Sequence, residues 1–365
     1  MCSSRVVVRI TTVVSNGCDP DPRVLREAKW LVEAGHDVTI HAFDRSENLP
    51  KVQQYAGIKI VRHRVGITPY GSYFRTLIGL QKFRKSVAKE IQDSDVLLCH
   101  DADTLHLVNK FTGPTVFDMH DLHHTWVLMK NPSSILRRII SNRMKNSMLK
   151  RAKKTTKVIT SSSGFSDWLS NYQIHSIPIE NRPINNGPID CNCAFTVGYF
   201  GRIREPRSFE LLFESVQRIE QQCRPKILIA GEGTSSVEVH KLIGQYSDLE
   251  IEFRGPFTES DLPNLMKEIT LMYAMYPPER GNIREGAIPA KMFEAAAFGR
   301  PSIVNFDTPM GELCENENLG QAISWGDIDG LSKAIMSLKD TQVFLQKDAQ
   351  LEREKFLKLF SEIKI

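Results

Sequence analysis

Short apolar runs alternate with helical stretches along this chain, and the alternation runs through twice. Strands separated by helix-length segments pair in parallel, because a crossover of that length returns the chain to the same end of a sheet. Strands are expected at 5–14, 37–42, 57–61, 95–99, 115–118 and 157–161, with helices at 21–34, 73–91, 104–111, 134–152 and near 164–172. The pattern restarts with strands at 195–200, 226–230, 250–253, 271–274 and 302–304. The helices of this half are expected at 209–222, 237–246, 259–268, 289–298, 328–338 and 342–360. Between the halves, 175–193 is rich in Pro, Asn and Gly and reads as a connection. The expected fold class is α/β, with Rossmann-like domains at 1–180 and 194–345, a linker at 181–193 and a cleft between the domains. A last helix, 346–365, is expected to pack back toward the first domain. At 365 residues the chain fits two cores of about 180 residues each better than one.

The formal charge of +4 is unevenly spread: residues 1–190 are net basic and residues 191–365 net acidic. No acidic residue occurs between Asp121 and Asp167, and that gap holds Arg137, Arg138, Arg143, Lys145, Lys150, Arg151, Lys153, Lys154 and Lys157. Leu136, Ile140, Met144 and Met148 add an apolar stripe at helical spacing. A basic amphipathic helix over 134–157 suits an anionic membrane surface; a surface helix with a core-facing stripe gives the same pattern. Nucleic acid is not expected as a partner, since no aromatic residues interleave the basic ones and no nucleic-acid motif is present. No apolar run approaches the roughly 18–20 residues of a membrane span. The start leads straight into a strand-like run rather than a cleavable leader, so a cytoplasmic protein is expected, peripheral on the inner face of a membrane if it meets one. Seven scattered cysteines without a Cys-x-x-Cys pair read as reduced thiols. His120, His123 and His124 lack the spacing of a zinc helix, and neither a metal nor a cofactor is expected.

The chemistry-bearing residues cluster after strands. Asn16 and Gly17 follow the first strand and form a turn that would touch a ligand in the cleft. His120 stands at the end of the 115–118 strand, where an imidazole can meet a phosphate or a sugar hydroxyl, or can cap its neighbour Asp121. His100, Asp101 and Asp103 end the preceding strand; the two aspartates could bind Mg²⁺ or acceptor hydroxyls, but Asp103 is also a natural helix N-cap, which is the favoured reading. In the second half, Gly201 frees a turn between a strand and a helix, and Arg202 and Arg207 could both reach an anion at that helix start. Gly231 and Gly233 allow close backbone approach after the next strand, and Arg254 ends the one after. Lys291 and Glu294 lie three apart at a helix start, suited to diphosphate and ribose respectively. Ala295–Ala297 keep that helix close to its sheet, and Gly299 and Pro301 end it.

Together these pieces resemble the retaining glycosyltransferases of family four (glycosyl transferases group 1), over essentially the whole chain. Asp21-Pro22-Arg23-Val24-Leu25-Arg26-Glu27-Ala28 with Leu31, Gly35, His36 and Val38 is similar to the family's opening motif. Val116–Asp121 resembles its strand-to-histidine motif, Gly201-Arg202 with Arg207 its phosphate motif, and Lys291 to Pro301 its K-x-x-E-A-x-A-x-G-x-P motif. The resemblance implies a GT-B fold, a first domain for the acceptor and a second for a nucleotide-sugar, with UDP favoured. It also implies metal-independent transfer with retention, to a glycan or lipid-linked acceptor, in glycan, polysaccharide or glycolipid synthesis. By the same resemblance, His120, Arg202 and Glu285 are the catalytic candidates. Gly17, Arg202, Arg207, Gly231, Gly233, Arg254, Lys291 and Glu294 are implied to bind the donor, and Asn16, Asp101 and Asp121 the acceptor. One position departs: the family's first Glu should stand eight residues before Glu294, where this chain has Gly286. Glu285, or Asn282, is then expected to take that contact. A nucleotide-sugar 2-epimerase or an inactive scaffold of the same fold are the competing readings.

Overall fold

The computed structural model describes residues 7–69, 73–129, 131–190 and 194–364. The start expected for the first strand at residue 5, the last residues of the expected linker, and Cys2, Cys191 and Cys193 lie outside them. The chain divides into two compact units, Met1–Glu180 with Leu351–Ile365, and Asn181–Gln350.

The first unit is built on eight strands: β1 (Arg9–Val14), β2 (Asp37–Phe43), β3 (Val52–Tyr55), β4 (Ile58–His63), β5 (Val96–His100), β6 (Thr115–Met119), β7 (Lys157–Thr160) and β8 (Ile177–Pro178). Their order is β3-β4-β2-β1-β5-β6-β7-β8, parallel except for the β3–β4 pair. That pair was not expected. Its turn is Ala56-Gly57 with φ of 48° and 82°, a two-residue hairpin of the kind whose twist matches the strands, but β3 is polar and exposed and carries no apolar alternation.

The helix Pro22–Glu33 shows why these residues fold as they do. Asp21 accepts from the Val24 amide at 3.2 Å, Pro22 supplies a fixed φ in the first turn, and Gly35 at φ 95° ends it. Val24, Ala28 and Leu31 go into the core. The C-terminal helix Ala349–Ser361 begins seven residues later than 342, the start expected of it. Its Phe356 is fully buried in this same core, with its ring 5.6 Å from that of Trp30. Glu352, also fully buried, accepts from the Glu180 amide at 2.8 Å. In the basic helix Ile135–Ala152 the buried residues are Ser141, Met148, Leu149 and Ala152, while Ile135, Leu136 and Ile139 at its start are exposed beside Arg138.

The second unit has six parallel strands: β9 (Thr196–Phe200), β10 (Lys226–Ala230), β11 (Ile251–Arg254), β12 (Leu271–Ala274), β13 (Ser302–Asn305) and β14 (Gly320–Ile323), in the order β11-β10-β9-β12-β13-β14. The helix Pro309–Asn316 and β14 were not expected; the first starts at the Thr308 cap and the second is only partly buried. Expected single helices at 104–111 and 259–268 are instead tight 3₁₀ turns joined to short α segments. The four described cysteines are free thiols. Among the described residues no helix is long and apolar enough to cross a membrane.

Deleting the Phe356 ring leaves a cavity against Trp30, Phe360 and the sheet. Phe356→Ala is expected to destabilise the first unit by about 3–5 kcal/mol, read as a lower melting transition for that unit, with the second unit's transition unmoved.

Candidate active site

In each sheet the loops that carry candidate residues follow the first strand and strands close to it, outside the carboxyl ends where open α/β sheets bind ligands. In the first unit these are the ends of β1, β5 and β6; in the second, of β9, β10 and β12.

The first unit's cluster is centred on Asp118, a fully buried carboxylate. Arg23 donates to both its oxygens, at 2.9 and 2.6 Å. His100 Nδ1 and His120 Nε2 approach Oδ2 to 2.9 and 2.6 Å. Arg23 also lies 3.1 Å from Glu27, one helical turn on, and donates to the Ile179 carbonyl at 2.6 Å. Asp101, in the left-handed region at φ 62°, accepts from the His120 amide at 3.0 Å. Its other oxygen lies 3.6 Å from His120 Nδ1 and 3.5 Å from His123 Nε2. Burial disfavours the charged imidazole of His120, but Asp118 and Asp101 outweigh it and hold the group up to about 9. Burial likewise opposes the Asp118 charge, and Arg23 and His120 outweigh that, keeping the carboxyl well below its usual range.

The expected neighbours have other tasks. Asn16 donates to Asp21 at 2.8 Å and accepts from the Cys18 amide, shaping its own turn. Gly17 gives its carbonyl to Arg62 at 2.7 Å, and a Cβ there would meet Leu49 at 2.6 Å. Asp121 accepts from the Leu122 amide at 2.7 Å and from the Trp126 indole at 3.2 Å. Asp103 is not the helix cap: the helix is Asp101–Thr104, flanked by His100, and Asp103 instead accepts from Ser15 at 3.1 Å.

The second unit's cluster is built on bare backbone. Gly201 and Gly231, at φ 137° and 135°, bring two strand ends so close that a Cβ on Gly231 would lie 1.9 Å from the Gly201 carbonyl oxygen. A Cβ on Gly233 would meet the Ile203 carbonyl at 2.0 Å. Beside Gly201 stands Lys291, its ammonium 3.6 Å above the Tyr199 ring and 5.6 Å from that of Tyr276. Arg280 covers the other ring at 4.8 Å and lies 3.7 Å from Glu205. Burial, reinforced by Arg280, pushes Lys291 down to about 7. Burial raises Glu294 above the usual carboxylate range, and Lys291 partly offsets it. Arg202 is exposed and forms no ion pair among the described residues.

Three further expected residues have local roles of their own. Arg207 is paired with Glu279 at 2.8 Å rather than set with Arg202. The Arg254 guanidinium holds Glu268 through two bonds of 2.8 and 2.7 Å and Glu252 at 2.6 Å, so only its backbone and stem are left to the depression of about 280 Å³ beside Gly255, Pro256 and Phe257. Glu285 closes the helical turn Gly281–Arg284, and Gly286 beside it has φ 132°. Tyr199, Tyr276 and Arg280 were not singled out from the sequence, and Arg23, Asp118 and His100 were named only within motifs, without a role. Asp118 and His120 share a face by their period of two, and Arg23 and Glu27 by their spacing of four, which is the signal that was there to read.

Two parallel-sheet α/β units with their candidate residues after the central strands define a GT-B protein. Compared over whole chains, sucrose-phosphate synthase from Thermosynechococcus elongatus matches with a TM-score of 0.73 at 15% identity, over 97% of this chain and 95% of that one. An α,α-trehalose-phosphate synthase (UDP-forming) from Burkholderia vietnamiensis matches with 0.67 at 10% identity, over 97% and 96%. The lipopolysaccharide outer core galactosyltransferase WaaB matches with 0.63 at 14%, over 97% and 100%. No curated protein matches the sequence. Residues 23–183 match the family Glycosyltransferase Family 4 and residues 194–340 match Glycosyl transferases group 1; the chain belongs to this family and is a glycosyltransferase.

The raised His120 supplies stability that is fully present below its ordinary pKa near 6.5 and is lost as pH rises through about 9. His120→Gln is therefore expected to cost most at pH 6, with the gap to the unsubstituted chain narrowing between pH 6.5 and 9. Melting curves of both chains across that range measure it; a gap that stays constant refutes the assignment.

Proposed function

We propose that this glycosyltransferase moves a sugar from a nucleoside diphosphate sugar to an acceptor hydroxyl with retention of configuration. The observation that supports it most is the carboxyl edge of the second sheet, where Gly201, Gly231 and Gly233 let bare backbone turns pack closely beside Lys291 and the exposed Arg202, a backbone edge suited to a diphosphate. An ammonium already pushed down to about 7 gains most from an arriving dianion, which restores its charge. Arg202 and Lys291 then offset the charge that develops on the leaving diphosphate, without a metal. Glu294, three residues along the same helix, suits the ribose hydroxyls, and the depression at Gly255–Phe257 suits the base. UDP is our preferred nucleotide; one protein of the same fold is UDP-forming by name.

Retention follows if the acceptor attacks from the face the diphosphate leaves, with a leaving phosphate oxygen taking the acceptor's proton. We assign His120 a donor's role toward the transferred sugar. An imidazolium held up to about 9 by Asp118 and Asp101 does not take up a proton near neutral pH, so it is not a general base. Closure against water would limit hydrolysis. For the acceptor we propose a glycan or lipid-linked hydroxyl presented at an anionic membrane, because Ile135, Leu136 and Ile139 are exposed within the basic segment.

The direct experiment is a screen of UDP- and GDP-sugars, with product masses and the anomeric configuration read by NMR. Arg202→Ala and Glu294→Ala are each expected to lower transfer about 100-fold or more while melting close to the unsubstituted chain; normal turnover in both makes the site wrong. Isomerised donor with no acceptor product would instead indicate an epimerase. The chain is also expected to co-sediment with vesicles containing phosphatidylserine, weakly at high salt and not with neutral vesicles; equal binding to both would remove the membrane reading.

A further inference from the structure

Away from that site, two buried imidazoles face each other in the first unit. His41 lies on β2 and His63 at the end of β4, adjacent parallel strands in which Phe43 pairs with His63. They are 4% and 6% exposed, and His41 Nδ1 stands 2.8 Å from His63 Nε2. Glu90 follows the helix Tyr73–Val87 and brings a carboxylate oxygen 3.6 Å from His41 Nδ1. One ligand atom from each of the three falls within 4.8 Å of the other two. The remaining nitrogen of His63 is held at 2.8 Å by Ser86 on that helix.

We propose that His41, His63 and Glu90 bind one divalent transition cation, zinc by preference, with water completing the coordination. Two imidazoles and a carboxylate suit zinc and its neighbours rather than magnesium or calcium, which favour an all-oxygen shell. Ligands about 2.0–2.2 Å from a tetrahedral ion stand about 3.2–3.6 Å from one another. The His41–Glu90 separation already fits, and the imidazoles need to part by only about half an ångström. Ser86 meets the usual second requirement: accepting from His63 Nδ1–H, it leaves the Nε2 lone pair turned toward the ion. His41 would carry its proton on the other nitrogen. Glu90, about half exposed, gives the ion a way in from solvent. A chain of hydrogen bonds running His41–His63–Ser86 explains the two imidazoles without any ion, but it gives Glu90 no part. The spacing 41, 63 and 90 matches no metal motif, so the sequence carried no sign of it. An ion here would tie the end of the Tyr73–Val87 helix to two strands.

Calorimetry of the metal-stripped full chain with zinc chloride, paired with absorption of the cobalt(II)-loaded chain, tests this. One zinc per chain and tetrahedral cobalt bands are expected. Glu90→Gln, half exposed and safe for folding, is expected to weaken zinc binding at least about tenfold, and Ser86→Ala about tenfold; His63→Gln should remove binding. His120→Gln serves as the control, because His100, Asp118 and His120 form the other convergent set of ligand types among the described residues, and it should leave binding in place. Absence of zinc uptake by the stripped chain, an affinity unmoved by Glu90→Gln, or loss of binding in His120→Gln alone each overturns the proposal.

Discussion

A carboxylate taken wholly out of water stays charged only if its surroundings replace the lost hydration, and in the first unit Asp118 sets that demand. It is met from three separate places: the first helix through Arg23, the end of β5 through His100, and the end of β6 through His120. Each partner is held in turn. Arg23 reaches the Ile179 carbonyl and Glu27, and His120 is gripped from behind by the Asp101 side chain at its amide. The loops at this sheet's carboxyl edge are thus positioned by a buried ionic set rather than by apolar contact. Removing Asp118 alone would take its two bonds from the buried Arg23 guanidinium and the shared acceptor from both imidazoles, which is why the set acts as one unit.

The second unit positions its groups by different means. Its close approach is between two stretches of backbone, and it is available only because Gly201 and Gly231 lack side chains and tolerate a φ near 135°. The Lys291 ammonium is held not by a carboxylate but by the faces of Tyr199 and Tyr276, which attract a cation while withholding the hydration that would keep it charged. The Tyr199 hydroxyl, bonded to the Arg202 carbonyl at 2.8 Å, ties this aromatic floor to the loop after β9. A charge-balanced ionic set in one unit and a lightly compensated cation in the other are electrostatically suited to different partners.

What could be read from the residues divides along the same physical line. The parallel strands were legible because β1, β5, β6, β10 and β12 are apolar runs buried on both faces. β3 and β14 were not, since an exposed edge strand needs no apolar pattern to pair. The positions of Lys291, Glu294, His120 and Arg202 were marked by motif. Their partners were not: nothing local says that Arg23 reaches Asp118, 95 residues on, or that Tyr276 will lie near Lys291. Likewise the spacing of Arg202 and Arg207 suggested a pair, but Glu279, exposed like Arg207 itself, accepts from the second guanidinium at 2.8 Å. Arg254 went the same way, to Glu252 and Glu268.

Gly286 is where the chain departs most from the motif it otherwise follows, and the backbone explains why this is more than one missing side chain. Its φ of 132° is a conformation that side-chain-bearing residues rarely adopt. It follows the turn Gly281–Arg284, whose Asn282 carbonyl accepts from the Ala287 amide at 2.8 Å. A Glu placed at 286 would be strained in that conformation or would have to shift the turn, so the loop is folded for glycine. The turn itself carries two polar side chains close to that position, Asn282 and Glu285. Asn282, 4% exposed, carries an amide, whereas Glu285 carries a carboxyl group and is closer to solvent. A buried neutral amide and a half-buried carboxylate select different hydroxyl patterns, since the first can donate and accept and the second only accepts.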